Sequence, residues 1–152
     1  MEGHSKKIRT QNDKLELWRE ISNGWRQITR LGEKNISCLG ICTTEFKILR
    51  ILQDEGPTPM ARLSDATVLT QPAITSFVDK LELQRLVRRD RDRKDRRVIR
   101  IAITGKGRAL FRRGLRIHSQ FVTGLLSGLN EAELSRFSTI MRKLSSVEVP
   151  VK

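Results

Sequence analysis

Between Asp13 and Ile28 the apolar residues Leu15, Trp18, Ile21, Trp25 and Ile28 recur every three or four positions among charged ones. That spacing puts them on one face of a helix. The stripe suits burial against its own domain or against a second subunit, with both tryptophans as anchors rather than parts of a cofactor site. Gly32 to Thr43 reads as a break. Thr44 is placed to cap a second helix, with Glu45 near the positive end of its dipole. Phe46, Leu49 and Leu52, flanked by Ile48 and Ile51, form its core stripe, and Gly56-Pro57 ends it. Thr58-Pro59 reads as a short extended link, Met60 to Ala66 as a short helix with Leu63 inward, and Thr67 to Leu69 as a turn.

A stronger pattern follows. Thr70 is a good N-cap, and Pro72 falls in the first turn, where a missing N–H is tolerated. Ile74, Phe77, Val78 and Leu81 share one face. The opposite face carries Pro72, Thr75, Ser76 and Asp79, with Lys80 at its edge. Ile99, Ile101 and Ile103 then alternate with Arg100 and Ala102, the period of a half-buried strand, and Leu86 to Arg89 is its partner. Thr104 caps a helix running to about Leu126. Leu110, Ile117, Phe121 and Leu125 mark its apolar side, and Gly114 permits close packing. Asn130 and Glu133 open a last helix as a capping box, in which Leu134, Phe137, Met141 and Leu144 repeat like a helix–helix seam. Met1 to Asn12 is a polar, basic arm and Val147 to Lys152 a tail. The predicted fold is mainly α with a small β-wing (α+β), a winged helix-turn-helix between N- and C-terminal helices.

Charge sharpens this outline. The 152 residues carry a net charge of +13, which points to a polyanionic partner. From Arg85 to Arg100 there are nine Lys/Arg against three Asp. A hairpin tip is an unfavourable place to gather like charge unless a polyanion neutralises it, and guanidinium groups suit phosphates and a narrow minor groove. Asp92 and Asp95 read as braces that direct neighbouring arginines. No apolar run approaches the ~20 residues of a membrane span and no signal-peptide pattern opens the chain, so a cytoplasmic protein with no membrane partner is expected.

Little else carries chemistry. No Ser/His/Asp set, phosphate-cradling glycine loop or metal constellation is visible, so neither an enzyme nor a cofactor is expected. His4 has no neighbours to complete a metal site. Cys38 and Cys42 read first as buried thiols, with a redox-responsive pair as the alternative; zinc would need further ligands.

Asp95-Arg96-Arg97, then Val98 to Thr104, then Gly105-Lys106-Gly107, together with Thr70 to Glu82, resemble the wing and recognition helix of the MarR (multiple-antibiotic-resistance regulator) family of winged-helix transcription regulators. The close match spans roughly Gly56 to Gly107. One departure is Arg85, where the family usually carries a glycine in the left-handed conformation. A non-glycine residue there costs about 1 kcal/mol, leaving the helix open to a different ending. The resemblance implies a single domain over residues 1–152, with dimerisation helices at 13–34 and 105–146 around a DNA-binding region at 44–104. It also implies a homodimer, which the apolar terminal helices suggest independently. A two-fold dimer would set two recognition helices about 10 bp apart on a pseudo-palindromic site. Thr70, Gln71, Thr75, Ser76 and Lys80 would meet bases and phosphates of double-stranded DNA, and Arg91, Arg93, Lys94, Asp95, Arg96 and Arg97 would form the wing contact. Many members of that family release DNA on binding a small phenolic or anionic effector. Their pockets often contain tyrosines; this chain has none, and Trp25, Arg26 and His118 are its candidate effector contacts.

The reading is therefore a sequence-specific regulator, in character a repressor. Its competitors are a non-specific architectural DNA-binding protein, distinguished by the ratio of specific to random-sequence affinity, and a regulator switched by oxidation of Cys38 and Cys42. An RNA-binding winged helix is disfavoured by the lack of stacking aromatics.

Overall fold

The computed structural model describes residues 10–91 and 98–148. The elements run α1 (Gln11–Ser37), α2 (Thr43–Glu55), β1 (Thr58–Pro59), α3 (Met60–Thr67), α4 (Gln71–Leu83), β2 (Val87–Arg91), β3 (Ile99–Ile103), α5 (Gly105–Leu126) and α6 (Glu131–Ser145). The chain divides into two compact units, Met1–His118 and Ser119–Lys152.

Helix α1 is longer than the pattern suggested. It starts at a capping box formed by Thr10 and Asp13 and passes through Gly32 without a break. A single glycine weakens a helix without ending it. The true end comes at Ser37, followed by Gly40 at φ +73°. Trp18 and Trp25 are 64% and 63% exposed, so the α1 stripe is not core within the chain. The cap of α2 is Cys42, not Thr44. Glu45 N–H donates to Cys42 Sγ, and Cys42 N–H donates to Glu45 Oε2 at 2.8 Å. The glutamate three residues past the cap sets this register. Both thiols are exposed and unbridged, which corrects the expectation that they are buried.

Thr58-Pro59 is a strand rather than a link. It pairs antiparallel with β3, which lies between β1 and β2. The central position of β3 explains why Ala102 is buried along with Ile101 and Ile103. Ile99, the first residue of β3 and the partner of Arg91, is 46% exposed rather than core. One apolar cluster collects Ile36, Ile48, Leu49, Leu52, Leu63, Ile74, Val78, Leu81, Leu86 and Ile101 from α1, α2, α3, α4, the turn before β2, and β3. Phe77 packs at its margin, half-buried. The inward side of α5 is turned from the predicted one. Phe111 is its buried aromatic, with Gly107 and Gly114, whereas Leu110 and Ile117 are half-buried. A Cβ on Gly114 would stand 2.5 Å from Phe46 and 2.9 Å from Leu39, so that glycine is what lets α5 approach α2.

Helix α4 ends in the left-handed turn that the resemblance implies, despite the arginine. Arg85 adopts φ +60°. Its N–H donates to Glu82 O, and Leu86 N–H donates to Leu81 O, both at 2.8 Å. This is a complete Schellman motif, sealed by contact between the buried Leu81 and Leu86. Thr104 clamps the same junction. Its N–H donates to Leu86 O at 3.0 Å, and its hydroxyl lies 2.8 Å from Arg85 O and accepts from Gly107 N–H. A Cβ on Gly107 would meet Leu86 O at 2.1 Å. Val68 forms a second Schellman end, after α3, at φ +59°. A β-branched side chain strains more there, and Val68 is 88% exposed.

In the second unit, Asn130 and Glu133 form the capping box read from the sequence: Glu133 N–H donates to Asn130 Oδ1 at 3.0 Å and Asn130 N–H to Glu133 Oε2 at 2.9 Å. Phe137, Met141 and Leu144 on α6 are exposed, as is Ile140.

Val68→Gly is expected to stabilise the protein by about 1 kcal/mol, and Arg85→Gly by somewhat less. Urea unfolding measures both. A loss of stability in Val68→Gly would show that its side chain gains more from its surroundings than the backbone loses.

Candidate nucleic-acid interface

Helix α4 divides cleanly into two faces. Ile74, Val78 and Leu81 are fully buried, while Gln71, Pro72, Thr75, Ser76, Asp79 and Lys80 are exposed. Thr70 is the N-cap, but its side chain makes no capping hydrogen bond. The Thr75 hydroxyl donates to Gln71 O at 3.0 Å, which fixes the side chain and leaves its oxygen as an acceptor. Lys80 Nζ lies 5.9 Å from the centroid of the Phe77 ring. The outward face therefore presents an amide, two hydroxyls and a cation, all of the right size to reach base edges and phosphates.

Asp79 belongs to a different device. Arg89, on β2, spans two carboxylates of α4. Its Nη2 lies 2.6 Å from Asp79 Oδ1, its Nη1 meets Glu82 Oε2, and its backbone N–H donates to Glu82 Oε1 at 3.2 Å. Hydrogen bonding to Asp79 raises the Arg89 pKa above the ordinary arginine value, partial burial opposes that, and the Glu82 charge adds to it. The guanidinium is permanently charged and ties β2 to α4. Sequence reasoning did not single out Arg89 or Glu82. The register that sets Arg89 against the buried Ile101, where a partly buried cation needs a carboxylate, is given by the sheet and not by the local pattern.

Elsewhere on the wing, Arg88 Nε pairs with Asp90 Oδ2 at 3.0 Å, and Arg100 Nη1 donates to Pro57 O at 3.3 Å. Arg91 is exposed at the last described position of β2. Arg93, Lys94, Asp95, Arg96 and Arg97 lie outside the described residues.

The three candidate effector contacts are not brought to one place. Trp25 and Arg26 line an open groove of about 470 Å³ along α1, together with Ser22, Thr29, Arg30 and Glu33. His118 instead packs on Phe46, ring centroids 6.1 Å apart. A larger open cavity, about 640 Å³, lies where Ser37, Cys42 and Glu45 face Lys80 and Gln84 of α4. Among the described residues there is no cluster of ligands suited to a metal ion, and no helix is long and apolar enough to cross a membrane.

Comparison with known proteins agrees with this geometry. The family profile described as "MarR family" matches residues 41–99. The HTH-type transcriptional regulator MhqR of Bacillus subtilis (strain 168) is 31% identical over 130 residues, covering 86% of this chain and 90% of that protein. The chain belongs to the MarR family. Its fold is similar to that of the transcriptional regulator BldR from Sulfolobus solfataricus (TM-score 0.76, 31% identity, 92% of this chain and 100% of that one). It is also similar to that of Bordetella bronchiseptica BpsR, whose DNA binding is regulated by 6-hydroxynicotinic acid (TM-score 0.75, 22% identity, 86% and 99%). This MarR-family chain is thus a DNA-binding transcription regulator with a winged-helix fold.

Arg89→Ala is expected to lower stability by about 1–2 kcal/mol, since it leaves two carboxylates without their cation. It should weaken DNA binding further than that loss explains, because the helix and the wing lose their common anchor. Arg89→Lys, which keeps the charge without the fork, should recover only part. Urea unfolding and DNA-binding titrations on the folded variants measure the two effects.

Proposed function

We propose that the protein is a homodimeric, sequence-specific repressor that seats two copies of α4 in successive major grooves of a pseudo-palindromic operator. The observation that carries this is the composition of the exposed α4 face. Gln71, Thr75 and Ser76 offer hydrogen-bonding groups to bases, whereas a purely electrostatic binder would show lysines there. Lys80 and Arg91 serve phosphates in this reading. Thr70 marks the start of the helix, and the wing residues Arg93, Lys94, Asp95, Arg96 and Arg97 reach the flanking minor groove. The dimer reading is supported by exposed Leu15, Trp18, Ile21 and Trp25 on α1, and by Phe137, Ile140, Met141 and Leu144 on α6. Such contiguous apolar faces mark association surfaces. A dimer covering about two turns of duplex excludes polymerase from an overlapping promoter, which is why repression is the assigned direction.

The effector in this reading is a small phenolic or anionic molecule held by Trp25, which supplies an aromatic surface, and by Arg26, which supplies a counter-charge. A second reading rests on both thiols being exposed and on Cys42 Sγ serving as the α2 cap. A peroxide would take two electrons and two protons from Cys38 and Cys42, giving a disulfide and water, and would withdraw that cap. Loss of operator binding in peroxide, reversed by dithiothreitol and absent in Cys42→Ser, would select this reading over the small-molecule one.

Genomic fragments bound by the purified protein near physiological salt should be enriched in one pseudo-palindromic motif, its half-sites about one helical turn apart. Uniform recovery that falls steeply with salt would instead show an architectural binder. In parallel, Trp18→Glu with Trp25→Glu should convert a dimer to a monomer in sedimentation and abolish cooperative operator binding. A double variant that stays dimeric would remove α1 from the interface.

A further inference from the structure

The wing is not the only concentration of positive charge in this chain. From Gly105 to Asn130 there is no acidic residue, while Lys106, Arg108, Arg112, Arg113 and Arg116 all fall within the first twelve of the 22 residues of α5. All five are exposed. The inward side of this stretch is set by Gly107 against Leu86, Phe111 stacked on Phe46 at 5.3 Å, and Gly114 against Phe46 and Leu39. At 100° per residue, Arg112, Arg113 and Arg116 stand opposite that side, with Lys106 and Arg108 at the edges of the same arc. Among the described residues none of the five forms an ion pair; Lys106 Nζ donates to Gln84 O, at the end of α4, at 2.9 Å.

This arrangement works against the helix that bears it. Lys106 and Arg108, in the first turn, oppose the helix dipole, and α5 has neither an acidic residue in its first turn nor a basic one in its last. Arg108–Arg112 and Arg112–Arg116 are like-charge pairs one turn apart, and Arg113–Arg116 a third at three-residue spacing, all of which destabilise a helix. An ordinary solvated face would intersperse glutamates, as α1 does with Glu16, Glu20 and Glu33. A face built of four arginines and a lysine, with like-charge neighbours and no ion pair among the described residues, is one that a polyanion neutralises. The choice of arginine favours phosphate, which the guanidinium fork binds in bidentate fashion. Its position favours the polyanion already in play, because the basic face starts at the junction that joins the recognition helix to the wing.

We propose that the basic face of α5 is a second DNA-binding surface, which engages the phosphodiester backbone of duplex outside the stretch covered by α4 and the wing. This rests on the DNA-binding reading above and extends it. The surface carries no base readout. It lengthens the footprint and adds counterion release to the affinity. Arg108, Arg112 and Arg116 rise along the helix in steps of about 6 Å, so they present a row of guanidinium groups rather than a single point charge.

The test compares wild type with Arg108→Gln/Arg112→Gln/Arg116→Gln on two duplexes bearing the selected motif, one ending at the half-sites and one extended by about ten base pairs, one helical turn, on each side. The slope of log affinity against log salt is the readout. The expected result is a slope shallower by about five on the extended duplex, from three arginines in each of two subunits at about 0.9 apiece, little change on the short one, an unchanged motif in selection, and a thermal midpoint that does not fall. Equal slopes for wild type and variant on the extended duplex, with the motif retained, overturn the proposal while leaving the regulator reading intact. An equal loss on both duplexes overturns the flanking location. A wild-type protein that selects no motif strikes the DNA-binding reading itself, so the two failures are distinguishable.

Discussion

The reading head depends on one junction, where the last carbonyls of α4 are closed by the first residues of the wing and of α5. Leu86 is at its centre. Its N–H closes the Schellman end of α4, its carbonyl accepts from Thr104, and its side chain is fully within the core. Thr104 simultaneously ends β3, caps α5 and reaches Arg85 O. Gly107 leaves space for the Leu86 carbonyl, and Lys106 covers Gln84 O. Each of these groups would be an unsatisfied polar atom in a partly buried place if the others moved. The consequence is a shared geometry in which the direction of α4, the exit of the wing and the start of α5 are set together.

Arg85 shows how much this junction can impose. The residue has no side-chain reason to adopt a left-handed backbone, yet it does so. Two backbone hydrogen bonds and the Leu81–Leu86 contact together outweigh a penalty of about 1 kcal/mol. Arg89 fastens the same assembly from the other side, with one guanidinium across Asp79 and Glu82. In a protein that reads DNA, rigidity of this kind has a direct use, because phosphate contacts from one element set the register of base contacts from another.

Much of the fold was legible from periodicity. The core stripe of α2, the start and apolar face of α4, the strand alternation around Ile101 and the Asn130–Glu133 box all follow from local rules, because each depends on residues within one or two turns. The exposed α4 face was legible for the same reason: once Ile74, Val78 and Leu81 are inward, Gln71, Thr75, Ser76 and Lys80 have nowhere to point but out. Where the reading went astray, two local signals competed or a partner was remote. Thr44 looked the better cap by residue type, but Glu45 fixes the box at Cys42. Gly32 looked like a stop, but the helix continues to Ser37.

The chain by itself determined the core stripes of α2 and α4, the Asn130–Glu133 cap, the charge and which side of α4 is left exposed, since these arise from neighbours in sequence. Tertiary structure alone decided that Thr58-Pro59 is a strand, that Arg89 is a clamp, that Arg85 is left-handed, and that Phe111 rather than Ile117 faces inward. Each of those depends on a group distant in sequence: Ile101 for Thr58 and for Arg89, Thr104 for Arg85, Phe46 for Phe111. A sequence pattern records how a residue suits its own turn or strand. It does not record which distant surface will close on it, and at these positions that contact carried the larger energy.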